Sequence, residues 1–455
     1  MAVSFAHDLM RKPIQVSDSL QELLDVQQSP SLAATFVAHS PRGPFLRPIR
    51  QVQIKMLFDA AGGRYQLAFR GFHAMLVALA LFLFVRALQV RTWTDCAAAV
   101  FAITVFTGMN TFRGTVREAF PINHFLEIVV FCLLALNLAQ SRGGWVTDTA
   151  AAVVFVVASL TLESGPLVWV VLVAGWLVGL RGVSRRALVI VTLLLGAYLW
   201  TRFVYLSIGT PGIDVGRDSG FGASMLTPEQ IAVRFGDNPL PFYLYNVATS
   251  VLSVLFSDPD RGVFQMARGW LAGDAQARVY SATVPSILTT AVIAWAVAVA
   301  FRRYRSGQRM AGDYLFVVFG CVLGANAVLA YAYAKPEIIS VAGAFYALAT
   351  FVAVRYAIEY RPVRPALNRV LCLVLAVASA LWAFRSAGVH HMLQTQAFRE
   401  RVEWARLDPE RIAERGYPSD APARALTAQL RREALDLRIA NTNEVPAWAD
   451  DWWGE

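Results

Sequence analysis

Apolar residues in this chain come in long unbroken runs, not in the alternating or one-sided patterns of a soluble core. The runs are about 16 to 22 residues long, close to the length that crosses a hydrocarbon core. They predict an all-α fold, a polytopic transmembrane helix bundle of about ten spans. The spans fall at 70–89, 95–111, 121–139, 147–163, 165–180, 187–208, 283–301, 313–333, 338–358 and 367–386. Residues 1–69 hold no such run and read as a juxtamembrane segment with two surface helices. In the first, Ser19 and Glu22 have capping-box spacing, with Leu20, Leu23 and Leu24 on one face. The second starts at Pro48, buries Ile49, Val52, Met56 and Leu57, exposes Arg50 and Lys55, and breaks at Gly62–Gly63. The bundle, 70–386, includes a long loop at 209–282, and 387–455 reads as a polar helical tail.

Charge supplies the orientation. Arg86, Arg91, Arg142, Arg181, Arg185 and Arg186, the run at 302–309 and the arginines at 355–369 all fall on one side of such a bundle. The connections on the other side hold Arg113, Arg117 and Glu118, then Glu163, then Lys335 and Glu337. Cytoplasmic loops carry the excess of arginine, so residues 1–69, the loop 209–282 and the tail are predicted to be external. The apolar stretch 241–257 is then an interfacial or re-entrant helix, because one more crossing would put the 302–309 run outside. An external amino-terminal segment with no signal peptide is physically awkward, and it leads us to expect a truncated or alternative start.

Composition agrees. With 56% hydrophobic and 16% charged residues, and a mean hydropathy of +0.47, the 455-residue chain is too apolar for a soluble enzyme of its size. The formal charge of +9 lies largely in arginines between the apolar runs, which points to topology and not to nucleic acid. Cys96, Cys132, Cys321 and Cys372 each sit in or beside an apolar run and read as small hydrophobes, not as a disulfide or metal framework.

Ionisable residues near the ends of apolar spans are the candidates for chemistry. Asp18 has two readings: the cap of the first surface helix, or a general base held against a substrate hydroxyl. Arg47 and Arg50 flank Pro48, where they would clamp a phosphate or attract headgroups. Arg117, Glu118, Asn123, His124 and Glu127 crowd the start of one span, either as a site or as polar contacts sealing helices. His124 has no partner at ligand spacing, so no metal site is predicted. Glu163 sits in a hairpin, TLESGPLVW, too tight for a solvated loop. Lys335-Pro336-Glu337 makes a similar hairpin after Tyr331 and Tyr333, either a phosphate partner or an aromatic-belt turn.

Walker, HExxH, GxSxG and CxxC patterns are missing, which disfavours ATP-driven transport and zinc or serine hydrolysis. The order of the remaining features resembles the GT-C superfamily of integral-membrane glycosyltransferases, the protein O-mannosyltransferases and aminoarabinose transferases among them. The residues that carry the resemblance are VSD at Asp18, the two surface helices, FLRP at Arg47-Pro48, FRGFH leading into a span, TLESG at Glu163, and Lys335. The sequence departs from that pattern where Ser19 follows a lone acid and where Leu162 precedes Glu163.

The resemblance implies a polyprenyl-phosphate sugar as donor, a glycan, lipid or protein hydroxyl as acceptor, and no required cofactor. It further implies Asp18 as base, Arg47, Arg50 and Lys335 on the donor phosphate, and Arg117, Glu118, His124, Glu163 and Glu337 orienting substrate hydroxyls. Two other classes fit the same spans. A non-enzymatic lipid-linked-sugar flippase would need a polar path at mid-depth, and a structural membrane protein would leave these polar residues apart in space.

Overall fold

The computed structural model describes residues 1–38, 45–117, 121–209, 219–221, 224–236, 238–257, 263–274, 276–308, 310, 312–359, 365–407, 420–441 and 446–453. Helices dominate. In chain order they are α1 (Ala2–Leu9), α2 (Ser17–Gln28), α3 (Leu32–Ala38), α4 (Pro48–Ala60), α5 (Tyr65–Ala87), α6 (Trp93–Gly108), α7 (Asn110–Arg117), α8 (His124–Ala139), α9 (Trp145–Thr161), α10 (Leu167–Leu177) and α11 (Arg185–Trp200). A π-helical turn, Thr201–Tyr205, extends α11. A small antiparallel ribbon of β1 (Ser219–Phe221) and β2 (Ser224–Leu226) follows. Then come α12 (Pro228–Phe235), α13 (Leu240–Phe256), α14 (Val263–Ala272), α15 (Ala277–Arg305), α16 (Tyr314–Leu329), α17 (Ser340–Glu359), α18 (Pro365–Arg406), α19 (Ala421–Asp436) and α20 (Ala447–Trp453).

Among the described residues five helices are long and apolar enough to cross a membrane: α5, α11 with its π turn, α15, α17 and α18. The bent pairs α6–α7, at 54°, and α12–α13, at 105°, raise this to as many as seven. The apolar helices α8, α9, α10 and α16 are shorter. At the centre stands α17, buried along almost its whole length and packed by α6, α15 and α16. Its run of alanines, with Gly343, lets neighbouring backbones come close, the way helices associate where lipid offers no hydrophobic driving force. A Cβ on Gly343 would lie 2.0 Å from the Thr111 hydroxyl of α7.

Polar contacts separate the two ends of the bundle. At one end Arg355 pairs with Asp95 at 2.9 Å, the Tyr356 hydroxyl donates to Asp313 at 2.7 Å, and Gln140 donates to the Tyr314 hydroxyl at 2.7 Å. Asp95 also closes a capping box with Thr92 at the start of α6. At the other end both chain termini pack, and we call it the terminal face.

The terminal face differs from the sequence reading in several ways. The polar tail does not begin a new unit at 387, since α18 continues unbroken to Arg406. Residues 1–69 are not wholly peripheral either. Phe5 and Leu9 of α1 are buried in the main core beside α5. A second core joins the two ends of the chain, with Ile14, Leu20, Leu23 and Leu24 packed on Trp404, Leu426 and Leu430. Buried charge fastens the joint. Arg70 donates to the carbonyls of Lys12 and Pro13 at 3.2 and 2.8 Å, and Lys12 reaches Glu400 at 3.4 Å and the Arg117 carbonyl at 2.6 Å. Asp8 meets His390 at 2.6 Å, and its neighbour His391 meets Asp450 at 3.1 Å.

Other local expectations also shift. No side chain caps α2, which starts at Ser17 with Val16 before it, so Ser19 and Glu22 lie inside the helix and form no capping box. Arg50 and Lys55 are buried while Met56 is exposed, because α4 lies between α2 and α3 on one side and α9 on another. Cys132 is buried, but Cys96, Cys321 and Cys372 face outward from the bundle.

Trp404 is fully buried, and its indole donates to the Ile14 carbonyl at 2.5 Å. Truncating such a side chain costs about 3–5 kcal/mol. Trp404→Ala is expected to loosen both ends of the chain together, read as faster proteolysis within 14–30 and 407–441. Unchanged cleavage would show that the ends are held independently.

Candidate functional site

A short apolar contact and one turn place the first pair of charges. Leu46 packs with Tyr198 and Ile208, which brings the residue after it, Arg47, against the end of α11. The turn Leu162–Pro166 between α9 and α10 is tight, with Gly165 N–H donating to the Leu162 carbonyl at 2.8 Å. A Cβ on Gly165 would fall 2.2 Å from the Ala158 backbone, so only glycine permits this approach. The turn therefore holds Glu163 in one place.

Arg47 grips Glu163 with Nε at 3.0 and 2.9 Å from the two oxygens and Nη2 at 2.5 Å. This is the bidentate geometry of strong guanidinium–carboxylate pairs. A third charge stands beside it. Arg202 Nη1 is 4.0 Å from Glu163 and donates to the Tyr198 hydroxyl at 3.1 Å. The π-helical turn carries Arg202, and such turns re-aim side chains that a regular helix would point elsewhere. Burial pushes the Glu163 carboxyl up, but Arg47 and then Arg202 outweigh it and hold it below its ordinary range.

A second group adjoins the first through α4 and α8. Arg50 Nη2 donates to Glu22 at 2.9 Å and Gln51 donates to the same carboxylate at 2.5 Å. Glu127, buried in the first turn of α8, bonds Gln53 and lies near Arg50. His124 is buried close to Arg50 and Arg47, with its Nδ1 at 3.1 Å from the Ile122 carbonyl. Asn123 caps α8 by accepting from Leu126 N–H at 3.0 Å, and its amide meets His73 at 3.1 Å and the Thr115 carbonyl.

The predicted residues thus sort into three sets. Arg47, Arg50, His124 and Glu163 come together around α4. Lys335 and Glu337 lie on the α16–α17 hairpin of the same face, where Lys335 sits over the Tyr333 ring at 4.9 Å and Glu337 packs against Gly114 of α7. Arg117 ends α7 next to Lys12. The side chain of Asp18, and Glu118 altogether, lie outside the described residues. No group of three metal-binding side chains occurs among the described residues.

Glu22, Arg202 and Tyr198 were missed as site residues. Arg202 carried a usable signal, a charge inside an apolar run four residues after a tyrosine. Glu22 carried none, because its spacing from Ser19 also fits a helix cap.

No family model, curated protein or solved structure matches the chain. The fold and the composition therefore define a class only: a predominantly helical protein with several helices able to cross a membrane, in contact with lipid.

The Glu163 shift fixes a pH dependence. A carboxylate lowered in the folded state adds stability above its ordinary value, 4.5, and loses it as pH falls through the lowered value. Glu163→Gln is expected to lower the melting temperature at neutral pH, with the gap to the native protein closing as the solution is acidified below that range. A gap that persists unchanged in acid would mean that the ion pair is not its source.

Proposed function

We propose that this chain is an integral-membrane glycosyltransferase, moving a sugar from a polyprenyl-phosphate donor to a hydroxyl acceptor at the terminal face. One observation supports this reading above all. Arg47 and Glu163, 116 residues apart in sequence, meet with Arg202 at the ends of apolar helices, beside the Glu22–Arg50 pair. Polar groups gathered at the helix ends suit chemistry on a lipid headgroup, whereas a flippase path would string them at mid-depth.

The topology in this reading has ten crossings: the five long helices, the α6–α7 pair and the four shorter apolar helices. The α12–α13 pair lies in the external loop. The bundle sits in the inner membrane of the cell envelope, with the terminal face external.

Transfer is a single in-line displacement with inversion. The acceptor oxygen bonds to the anomeric carbon while the bond from that carbon to the phosphate oxygen breaks. Asp18 takes the acceptor proton, and the electron pair leaves with the polyprenyl phosphate. Arg47 and Lys335, with Arg50 behind them, meet the charge that develops on that leaving group, so the step requires no metal. Arg117, Glu118, His124, Glu163 and Glu337 orient the sugar and acceptor hydroxyls. The acceptor is a glycan, a lipid or a protein, and nucleic acid has no part.

Asp18→Asn is expected to abolish transfer of labelled sugar from a polyprenyl-phosphate donor in membranes while expression and insertion stay normal. Transfer at the native rate would remove Asp18 as the base.

A further inference from the structure

The end of the bundle opposite the terminal face carries a groove of its own. It lies between α10 and α11, about 380 Å³ in volume, lined by Trp176, Arg185, Leu188, Val189, Thr192 and Leu193. The sequence accounts for its shape. Positions 185, 188, 189, 192 and 193 share one helical face, so α11 turns an apolar strip, with one charge at its start, toward α10. Trp169 Nε1 donates to the Thr192 hydroxyl at 2.9 Å and ties the two helices together there, about 10 Å along the axis from Arg185. Val189 and Leu193 are more than half exposed, on a span-length helix of which only 28% is buried, so lipid tails reach the strip.

Charge gathers at the start of this strip. Arg185 is exposed, and its side chain makes no hydrogen bond or ion pair among the described residues. Arg181 lies over the Trp176 ring at 5.1 Å and donates from Nη1 to the Trp176 carbonyl at 2.8 Å, which keeps its guanidinium beside the groove. Asp148 of α9, an acid at this corner, accepts from Ser184 N–H at 2.9 Å and forms an ion pair with neither arginine among the described residues.

We propose that this groove binds one anionic phospholipid, its phosphodiester held by Arg185 and Arg181 and an acyl chain laid along Leu188, Val189 and Leu193 against Trp176. Charge complementarity selects the occupant. Two guanidinia beside an apolar strip match a negative headgroup and its tail, and a guanidinium fork takes two phosphate oxygens at once. The groove is also too narrow to seat a helix, whose diameter with side chains is about 10–12 Å. Trp176 then lies at headgroup level, where tryptophan rings collect in membranes. The site rests on the membrane class of the fold and is independent of the sugar-transfer reading.

The test is native mass spectrometry of the full chain in detergent, titrated with phosphatidylglycerol, phosphatidylcholine or glycerol phosphate, beside melting temperatures with and without each. Phosphatidylglycerol is expected to bind about fivefold or more tighter than phosphatidylcholine and to raise the melting temperature, as a ligand of the folded state does. Arg185→Gln is expected to remove about fivefold of that preference, the contribution of one headgroup arginine. Leu193→Gln is expected to weaken both lipids. Arg305, an exposed arginine that ends α15 at the same end of the bundle, supplies the control, and Arg305→Gln is expected to change neither. All three side chains are exposed, so the variants are expected to melt with the native protein when no lipid is added.

Equal affinity for the two lipids, native affinity in Arg185→Gln, or an equal loss in Arg305→Gln overturns the site. Glycerol phosphate that fails to compete, together with the loss in Leu193→Gln, supports a seated acyl chain. Glycerol phosphate bound as tightly as the lipid would mean that the groove plays no part, and the proposal fails. A dimer that forms without lipid and is broken by Leu193→Gln would make the occupant a second copy of this chain, which also overturns it.

Discussion

The grip of Arg47 on Glu163 is the contact on which the terminal face depends. It ties the segment before α4 to the turn between α9 and α10, two pieces of chain that nothing in the local sequence brings together. Its geometry decides its value. An exposed ion pair contributes about 0–1 kcal/mol, whereas removing one partner from a buried, well-hydrogen-bonded pair costs about 3–5 kcal/mol. This pair lies between those limits, partly exposed and doubly bonded. Around it the surroundings are apolar, and Leu46, Tyr198 and Ile208 pack beside it. The pair therefore fixes the position of α4 as well as the local charge.

A second constraint holds α4 from behind. The two chain ends are woven into one module by Trp404, Leu426 and Leu430 on one side and by α2 on the other, and α4 carries Ile54 into the same core. Glu22 on α2 then meets Arg50 on α4, so packing of the termini and placement of the arginines are a single problem. Within this joint Lys12 and Arg70 are fully buried with Glu400, whose carboxyl burial raises despite both cations. Such a group adds little net stability against an apolar replacement, and its use is to allow one arrangement of the ends. Asp8 beside His390 does the same for α1. There burial raises the carboxyl, and His390 and the neighbouring donors more than offset it.

Long apolar runs with arginine-rich connections were legible in the sequence, because a hydrocarbon layer dictates both the length and the charge of its crossings. The helix edges came within a few residues, as at Pro48–Ala60 and its glycine break. What was not legible has one physical cause: surfaces that look polar alone become buried by distant chain. Arg50 and Lys55 read as the wet face of α4 until α2 and α9 cover them. The polar residues after 386 read as a separate tail, yet they continue α18 because Phe5 and Asp8 of α1 dock along them. Within the candidate site, Arg47 and Glu163 were each visible as charges at span ends, but their pairing was not. Arg202 joins them only because a π-helical turn aims it inward.

The central claim is that side chains from separate helices share one charged group at the terminal face. A double-mutant cycle on Arg47→Gln and Glu163→Gln, read by thermal unfolding of the full chain in nanodiscs, tests it most directly. The account predicts a coupling of about 0.5–3 kcal/mol, the range for residues in direct contact within one network. Strictly additive losses would mean that the two side chains do not meet, and the group built around them would be gone.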